Sequence, residues 1–382
     1  MKNVPPRSEL TQRLRGFRDI LRKRGISAAL ITNARNVRYL SGFTGDDSAL
    51  LITASRKFMI TDFRFIEEAG LTAKGWKLIF EKSVREPDGK MRVIVPHGLM
   101  EKAGYMCRKL RLRRLAVESA DMRVVDMRAL RKAARGVRVK PEDALVAELR
   151  VCKSAWEVKQ IEHALRIQER CFRELCTGLK AGMTERDAAA YLRYLMVRAG
   201  AEDEAFTCMF QMGSHSSLPH GRPTDRRLGR DAIILLDFGS RYAGYHSDLT
   251  RTFFLGRIPP RLRHIHQIVL EAQQAAIATV APGVKMADVD AASRAVISKA
   301  GYGAEFGHST GHGLGMDIHE APSLSARAKG TLREGMVVTV EPGIYLPGVG
   351  GVRIEDDVLV TRTGHRVLSR LSVGLRWTGE ND

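Results

Sequence analysis

The segment from Phe306 to Glu320, FGHSTGHGLGMDIHE, constrains this chain more than any other stretch. It places three histidines, His308, His312 and His319, among four glycines and ends in an acidic residue. Glycine lets the backbone approach a bound group closely, at a cost in folding entropy. The pattern therefore predicts a functional loop, and the alternative is a flexible loop with solvated histidines.

Two aspartates lie at the ends of strand-like runs. Asp237 follows the apolar run AIILL, and Asp248 opens the run DLTRTFFLG. The segment between them contains glycine, which predicts a β-hairpin that brings the two carboxylates together. Two unpaired carboxylates held together are costly unless a cation lies between them. The alternative is that each aspartate only ends its strand in a turn.

Two further carboxylates follow near the C-terminus. Glu341 ends the run VVTV, and Arg353 and Glu355 lie two residues apart in VRIEDDVLV. A period of two predicts that both face the same side of one strand. An isolated pair of this kind is usually a structural salt bridge, but here a larger set is expected to converge: Asp237, Asp248, His312, Glu341 and Glu355.

This set of side chains suits metal ions. It contains no thiolate, which argues against a structural zinc site. Its negative charge is too large for one divalent ion and balances two. Carboxylates and imidazole suit Mn²⁺ first, with Co²⁺ or Zn²⁺ as alternatives. Two such ions can hold a hydroxide, polarise a carbonyl and stabilise its oxyanion. His220 and His319 remain as candidate donors to the substrate or the oxyanion.

Charge and histidine content divide the chain into two parts. Residues 1–140 contain 32 Lys and Arg and 14 Asp and Glu, a net charge of +18, whereas residues 141–382 contain 30 and 29, a net charge of +1. Ten of the eleven histidines follow residue 160. We therefore predict two domains, 1–139 and 140–382, with the chemistry in the second. The basic residues are scattered and no nucleic-acid motif accompanies them, so nucleic acid is not expected as a partner.

Hydrophobic periodicity predicts an α/β (α+β) architecture. Apolar residues at spacings of three and four predict an amphipathic helix over Ser8–Arg24. Thr184 and Asp187 resemble a capping box that starts a helix reaching Ala199. Strands that alternate with helices in the first part indicate a layered α/β domain. The predicted strands there are 26–32, 49–53, 57–61, 77–80, 92–95 and 115–117, and two further helices are predicted at 63–69 and 99–110.

The remaining composition indicates a cytoplasmic protein. The first residues contain no apolar segment typical of a secretory signal. No apolar run reaches the length of roughly 18 residues that a membrane helix needs. The five cysteines form no CxxC pair, as expected for reduced thiols. A membrane partner is therefore not expected.

The motifs around the five candidate ligands carry a resemblance to a known family. The order of the ligands, with LLDFG, SDLTRT, GHSTGHGLGMDIHE, VEPGIY and VRIEDD around them, resembles the metallopeptidase family with the pita-bread fold. The fragments GFTGDDSALLIT, TDFRF and LPHGRPTDR resemble the Xaa-Pro aminopeptidase and Xaa-Pro dipeptidase (prolidase) branch. The presence of a first domain points away from methionine aminopeptidases.

The resemblance implies a creatinase-like α/β domain followed by a pita-bread metallopeptidase domain, in a homodimer. It implies hydrolysis of the Xaa-Pro bond at the N-terminus of peptides with proline in second place, by a metal-bridged hydroxide. Asp237 would chelate one ion, Asp248 and Glu355 would bridge both, and His312 and Glu341 would complete the other. Glu341 would also take the proton of the nucleophilic water.

The resemblance also implies roles for residues around the metals. His220 and His319 would bind substrate and stabilise the transition state. Arg353 would orient carboxylates or contact substrate. His308 would support the loop or line the pocket for the residue after the cleaved bond. Thr250 is expected to support the bridging aspartate.

Two other functions stay open at this point. One is a non-catalytic binding protein of the same fold, which is expected to have lost metal ligands, whereas this chain retains five. The other is a creatinase-like amidinohydrolase, which works without metal. The sequence also leaves open whether a peptidase of this kind would act as an aminopeptidase on longer peptides or as a dipeptidase.

Overall fold

The computed structural model describes residues 4–86 and 91–375, and it divides into two compact units, Met1–Leu149 and Arg150–Asp382. The boundary predicted at residues 139 and 140 falls inside a strand, Arg138–Glu142, that pairs in parallel with Arg114–Glu118. This strand belongs to the sheet of the first unit, so the first unit continues to Leu149.

The first unit contains eight strands and six helices in its described residues, with a short 3₁₀ turn at Phe63–Phe65. The strands are β1 Ala28–Ile31, β2 Ala49–Thr53, β3 Lys57–Ile60, β4 Lys77–Ile79, β5 Lys82–Arg85, β6 Met91–Val95, β7 Arg114–Glu118 and β8 Arg138–Glu142. The helices are α1 Arg7–Lys23, α2 Ala34–Ser41, α3 Ile66–Thr72, α4 Leu99–Lys109, α5 Val124–Ala133 and α6 Ala147–Arg150, which reaches the boundary.

A six-stranded mixed sheet organises the first unit, in the order β4-β3-β2-β1-β7-β8. Strand β1 pairs antiparallel with β2 and parallel with β7, which requires crossover connections of the α/β type. The predicted stripe of α1 is confirmed, because Leu14, Phe17 and Leu21 are buried. Helices α2 and α5 and strands β5 and β8 were not predicted. In β5 and β8 the alternation of buried apolar and exposed polar residues is weak, since most of their residues are exposed.

The second unit contains thirteen strands and four long helices in its described residues. The strands are β9 Asp203–Glu204, β10 Met209–Met212, β11 Ala232–Phe238, β12 Ser240–Tyr242, β13 Tyr245–His246, β14 Leu249–Leu255, β15 Gly311–Gly313, β16 Glu320–Leu324, β17 Val337–Val340, β18 Gly343–Leu346, β19 Gly350–Arg353, β20 Asp356–Val360 and β21 His365–Val367. The helices are α7 Ala155–Gly178, α8 Glu185–Arg198, α9 Pro260–Thr279 and α10 Met286–Lys299.

Two sheets of the second unit supply the predicted ligands. One has the order β10-β11-β14 and the other β16-β15-β17-β20-β21. The predicted hairpin is confirmed, since β11 and β14 pair antiparallel with Asp237 opposite Thr250. The segment that connects its two arms contains the short strands β12 and β13, which pair with each other. The hairpin brings the last residues of β11 beside Asp248, which directly precedes β14.

The prediction of one continuous strand through VRIEDDVLV is wrong. The chain changes partners in its middle, because β19 pairs with β18 and β20 pairs with β17. Glu355 lies between the two strands, and its backbone N–H donates to the Thr250 carbonyl at 3.1 Å. Arg353, the last residue of β19, therefore does not share a strand face with Glu355.

No helix among residues 4–86 and 91–375 is long and apolar enough to cross a membrane. All five cysteines are free thiols, and burial raises the pKa of Cys107, Cys171 and Cys208. These three buried thiols have the character of apolar side chains rather than of nucleophiles.

The predicted capping box at the start of α8 is confirmed, and it yields a stability prediction. Thr184 Oγ1 accepts from the Asp187 N–H at 3.0 Å, and Asp187 Oδ2 accepts from the Thr184 N–H at 2.8 Å. Loss of such an N-cap costs about 1 kcal/mol. We expect Thr184→Ala to lower the free energy of unfolding by about that amount in urea titrations, and Thr184→Ser to retain most of it. Equal stability of the alanine variant and the wild type would contradict this account.

Candidate metal centre

One cavity of about 520 Å³ in the second unit collects every acid, histidine and arginine that the sequence proposed for the site. The five candidate ligands each come from a different local element: β11, the start of β14, the β15 segment, the end of β17 and the junction of β19 with β20. The predicted ligands and donors among its lining residues are His220, Asp237, Asp248, His308, His312, His319, Glu341, Arg353 and Glu355.

Asp248, His312 and Glu355 form the tightest group, with one potential ligand atom of each within 4.8 Å of the others. His312 Nε2 lies 3.6 Å from Asp248 Oδ2 and 3.4 Å from Glu341 Oε1. The His312 Nδ1 atom lies 3.1 Å from the Gly313 carbonyl, which directs Nε2 toward the carboxylates. This arrangement fixes the tautomer in the way that is typical of metal-binding histidines.

Burial makes this cluster of acids unstable without cations. Burial and the neighbouring carboxylates raise the pKa of Asp248 and Glu355 well above the usual range. Burial also raises the pKa of Asp237, and it raises the pKa of Glu341 to about 7. The pKa of His312 falls to about 4 because of burial, so its imidazole is neutral. Desolvated acids and a neutral imidazole are the ionisation pattern that bound divalent ions would relieve.

The donor atoms fit divalent metal ions. The Asp237 Oδ1 atom is buried and has no hydrogen-bond partner among the described residues, so it can accept an ion. Oxygen ligands with one imidazole suit hard or borderline metals such as Mn²⁺. The residues that would hold such ions are Asp237, Asp248, His312, Glu341 and Glu355.

Arg353 is the buried cation of the site, with only 2% of its surface exposed. Its Nη2 atom donates to Asp237 Oδ2 at 2.6 Å and its Nε atom to Thr250 Oγ1 at 3.0 Å. Its Nη1 atom donates to Tyr345 Oη at 2.8 Å and to the Pro219 carbonyl at 3.2 Å. The guanidinium therefore orients the Asp237 carboxylate, and its donors are occupied by acceptors of the protein itself.

Thr250 supports a different carboxylate from the one expected. Its hydroxyl donates to Glu355 Oε2 at 2.7 Å rather than to Asp248. The Asp248 backbone N–H donates instead to Asp357 Oδ2 at 3.2 Å. Thr250 contacts Glu355 because the hairpin register places Thr250 beside the junction of β19 and β20, where Glu355 lies.

The histidines around His312 are of two kinds: two are exposed, and one is held by hydrogen bonds. His220 and His319 are exposed at the cavity, and the His319 ring packs edge-on against His312 with centroids 4.3 Å apart. His308 Nε2 lies 2.9 Å from Tyr345 Oη and Nδ1 lies 2.8 Å from the Ser309 carbonyl. Burial lowers the pKa of His308 to about 4, so it is neutral and suited to support.

Sequence reasoning missed Tyr345, whose pKa burial raises to about 12. Its hydroxyl links Arg353 to His308, and the available signal was the run VEPGIY, in which it follows Glu341 by four residues. Two other histidines lie outside the cavity lining. His215 Nδ1 contacts Glu185 at 2.9 Å, and His246 Nδ1 contacts the Gly315 carbonyl at 3.0 Å, and both contacts are structural.

Comparison with known proteins identifies the family of the chain. Residues 159–362 match metallopeptidase family M24, and residues 13–152 match the creatinase/prolidase N-terminal domain. A Xaa-Pro dipeptidase of Pyrococcus horikoshii is 34% identical over 362 residues, which cover 94% of this chain and 97% of that protein.

Solved structures are similar over both units. A Xaa-Pro dipeptidase from Bacillus anthracis has a TM-score of 0.89 at 34% identity and covers 96% of this chain and 99% of its own. An X-Pro aminopeptidase from Thermotoga maritima has a TM-score of 0.85 at 33% identity and covers 94% and 99%. These similarities confirm the fold class expected from the motifs, a creatinase-like α/β domain followed by a pita-bread domain. The chain therefore belongs to metallopeptidase family M24, in the branch that includes Xaa-Pro dipeptidases and X-Pro aminopeptidases.

Proposed function

We propose that this protein is an exopeptidase that hydrolyses the Xaa-Pro bond at the N-terminus of peptides with the help of two divalent ions per chain. The observation that carries the proposal is the convergence of three buried carboxylates, the half-buried Glu341 and the neutral His312 in one cavity. Relatives named for Xaa-Pro hydrolysis support the substrate class.

Five residues would hold the ions, with Asp248 and Glu355 as bridging ligands. When bound, two such ions supply Lewis-acid polarisation of the scissile carbonyl and lower the pKa of the attacking water. Two ions balance the four negative charges, whereas one would leave a desolvated excess of charge. Mn²⁺ is the ion that we expect first, because oxygen ligands predominate.

The protein's own groups would handle the proton and the substrate. Glu341, which lines the cavity with its Oε1 atom 3.4 Å from His312 Nε2, would take the proton of the attacking water as general base. Arg353 keeps Asp237 in place through the 2.6 Å contact. His220 and His319, which remain exposed to the cavity, can donate hydrogen bonds to the substrate carbonyl.

The other two candidate functions are less compatible with this cavity. A non-catalytic binding protein has no need of five potential ligands directed into one cavity. A metal-free amidinohydrolase would leave four desolvated carboxylates with only the one fixed positive charge of Arg353 to compensate them. Neither function accounts for the convergence of Asp248, His312 and Glu355 within 4.8 Å of one another.

The direct test is hydrolysis of Ala-Pro and Ala-Pro-Ala in the presence of added Mn²⁺. We expect proline-specific cleavage of at least one of them, with Ala-Ala as the matched control that lacks proline. Cleavage should stop when the metal is removed by a chelator and return when Mn²⁺ is restored. Absence of any Xaa-Pro cleavage at saturating metal would exclude the proposal.

The bridging pair gives a second test. Asp248→Asn and Glu355→Gln each remove a charge that would bind both ions, so each should abolish turnover while the fold survives. Metal analysis should find close to two ions per wild-type chain and fewer in both variants. The matched controls are Asp225→Asn and Glu334→Gln, at exposed positions outside the cavity. Normal turnover in either bridging variant would show that the ligands are assigned wrongly.

The two exposed histidines should affect rate rather than metal content. Removing one donor to an oxyanion typically costs on the order of 10²–10³ in kcat. We expect losses of this size for His220→Ala and His319→Ala, with unchanged metal content in both. His163→Ala, on α7 away from the cavity, serves as the control. If His319→Ala loses metal in proportion to activity, His319 is a ligand instead.

A further inference from the structure

The loop 218–224 brings one arginine into the cavity beside His220. Arg222 follows His220 by two residues, lines the same cavity and is exposed to it. Other arginines of the following segment are directed elsewhere, since Arg227 donates to the Gly182 carbonyl at 2.9 Å. Arg226 is exposed and does not line the cavity.

The backbone on both sides of this arginine is firmly anchored. The buried Glu185 accepts at Oε2 from the Thr224 N–H at 2.8 Å and from its hydroxyl at 2.6 Å. On the other side, Gln211 Nε2 donates to the Leu218 carbonyl at 2.8 Å. A Cβ at Gly221 would lie 2.1 Å from Gln211 Nε2, so the loop packs against this amide too closely for a side chain. The arginine therefore projects from a fixed point.

Arg222 differs from Arg353, the other arginine that lines the cavity, in how its donors are used. Two arginines and no lysine line it, and the donors of Arg353 already bind Asp237, Thr250, Tyr345 and the Pro219 carbonyl. Arg222 has no hydrogen bond or ion pair with any residue in 4–86 or 91–375.

The nearest acidic residue in the sequence does not neutralise this arginine. Asp225 pairs instead with Arg186 at 3.0 and 3.1 Å. An exposed guanidinium that faces an acidic cavity from an anchored loop is suited to bind an anionic group of the substrate.

We propose that Arg222 binds the free carboxylate of a C-terminal proline, so that the preferred substrates are Xaa-Pro dipeptides rather than longer peptides. This inference rests on the proposed function. In an Xaa-Pro dipeptide the carboxylate is attached to the carbon next to the scissile nitrogen, so it enters the cavity with the reacting bond. The two proposed ions would balance the four carboxylates of that cavity, and Arg353 is already bound to Asp237, so Arg222 is the arginine left to pair with an additional anion. A longer peptide has a neutral amide at this position and gains nothing from the guanidinium.

The test compares Ala-Pro with Ala-Pro-NH₂ and Ala-Pro-Ala on the Mn²⁺-loaded enzyme. Wild type should have the highest kcat/KM for Ala-Pro. Because a hydrogen-bonded charge pair is involved, Arg222→Met should reduce the ratio of Ala-Pro to Ala-Pro-NH₂ by roughly 10- to 100-fold, mainly through KM. Arg222→Lys should retain part of the ratio, since it keeps the charge but loses the bidentate geometry. Arg226→Met, in the same segment but outside the cavity lining, should leave the ratio unchanged.

Binding of the product gives a readout that does not depend on turnover. By calorimetry, Arg222→Met should weaken binding of L-proline by a similar factor and leave binding of L-prolinamide unchanged. A wild type that prefers Ala-Pro-Ala, or an Arg222→Met variant with the wild-type ratio and wild-type proline binding, would overturn the inference and leave Xaa-Pro hydrolysis intact. Failure of all three substrates would instead remove the proposed function.

Discussion

The second unit depends on keeping four acidic side chains out of water and close together. Asp237, Asp248, Glu341 and Glu355 are all buried or nearly so, and burial raises the pKa of each. Such a cluster opposes folding unless positive charge compensates it. Arg353 supplies one fixed charge, and divalent ions are the partners that the remaining oxygens suit. The fold thus creates an electrostatic cost that metal ions would offset.

The architecture distributes this cluster over separate elements. The hairpin of β11 and β14 carries two of the acids, β17 ends at the third, and the change of partner between β19 and β20 exposes the fourth to the same cavity. Because each of these acids lies at or near the end of a strand or at a junction, its backbone is held by a sheet while its side chain lines the cavity. This placement favours rigid ligands, which metal centres require.

A second charged network holds the loop that carries His319. Lys153 Nζ contacts Glu320 Oε1 at 2.8 Å, and Arg150 Nη2 contacts Glu320 Oε2 at 2.5 Å and also Asp317. The two cations lower the pKa of Glu320 even though burial opposes this. The packing is close, since a Cβ at Gly315 would lie 2.6 Å from Glu320 Oε1. His319 therefore lies between two anchored acids, while its own ring remains exposed.

The sequence by itself predicted a set of acids and histidines that line one cavity, because the strand-like runs before Asp237 and Glu341 and the glycine-histidine segment are local patterns. It also determined the hairpin and the capping box of α8, which depend on neighbours in the chain. Only the tertiary structure decided which groups contact each other. The break between Arg353 and Glu355, the bond from Thr250 to Glu355 and the role of Tyr345 arise from pairing between distant strands. The anchoring of Arg222 likewise depends on contacts from α8 and β10, which no local periodicity encodes.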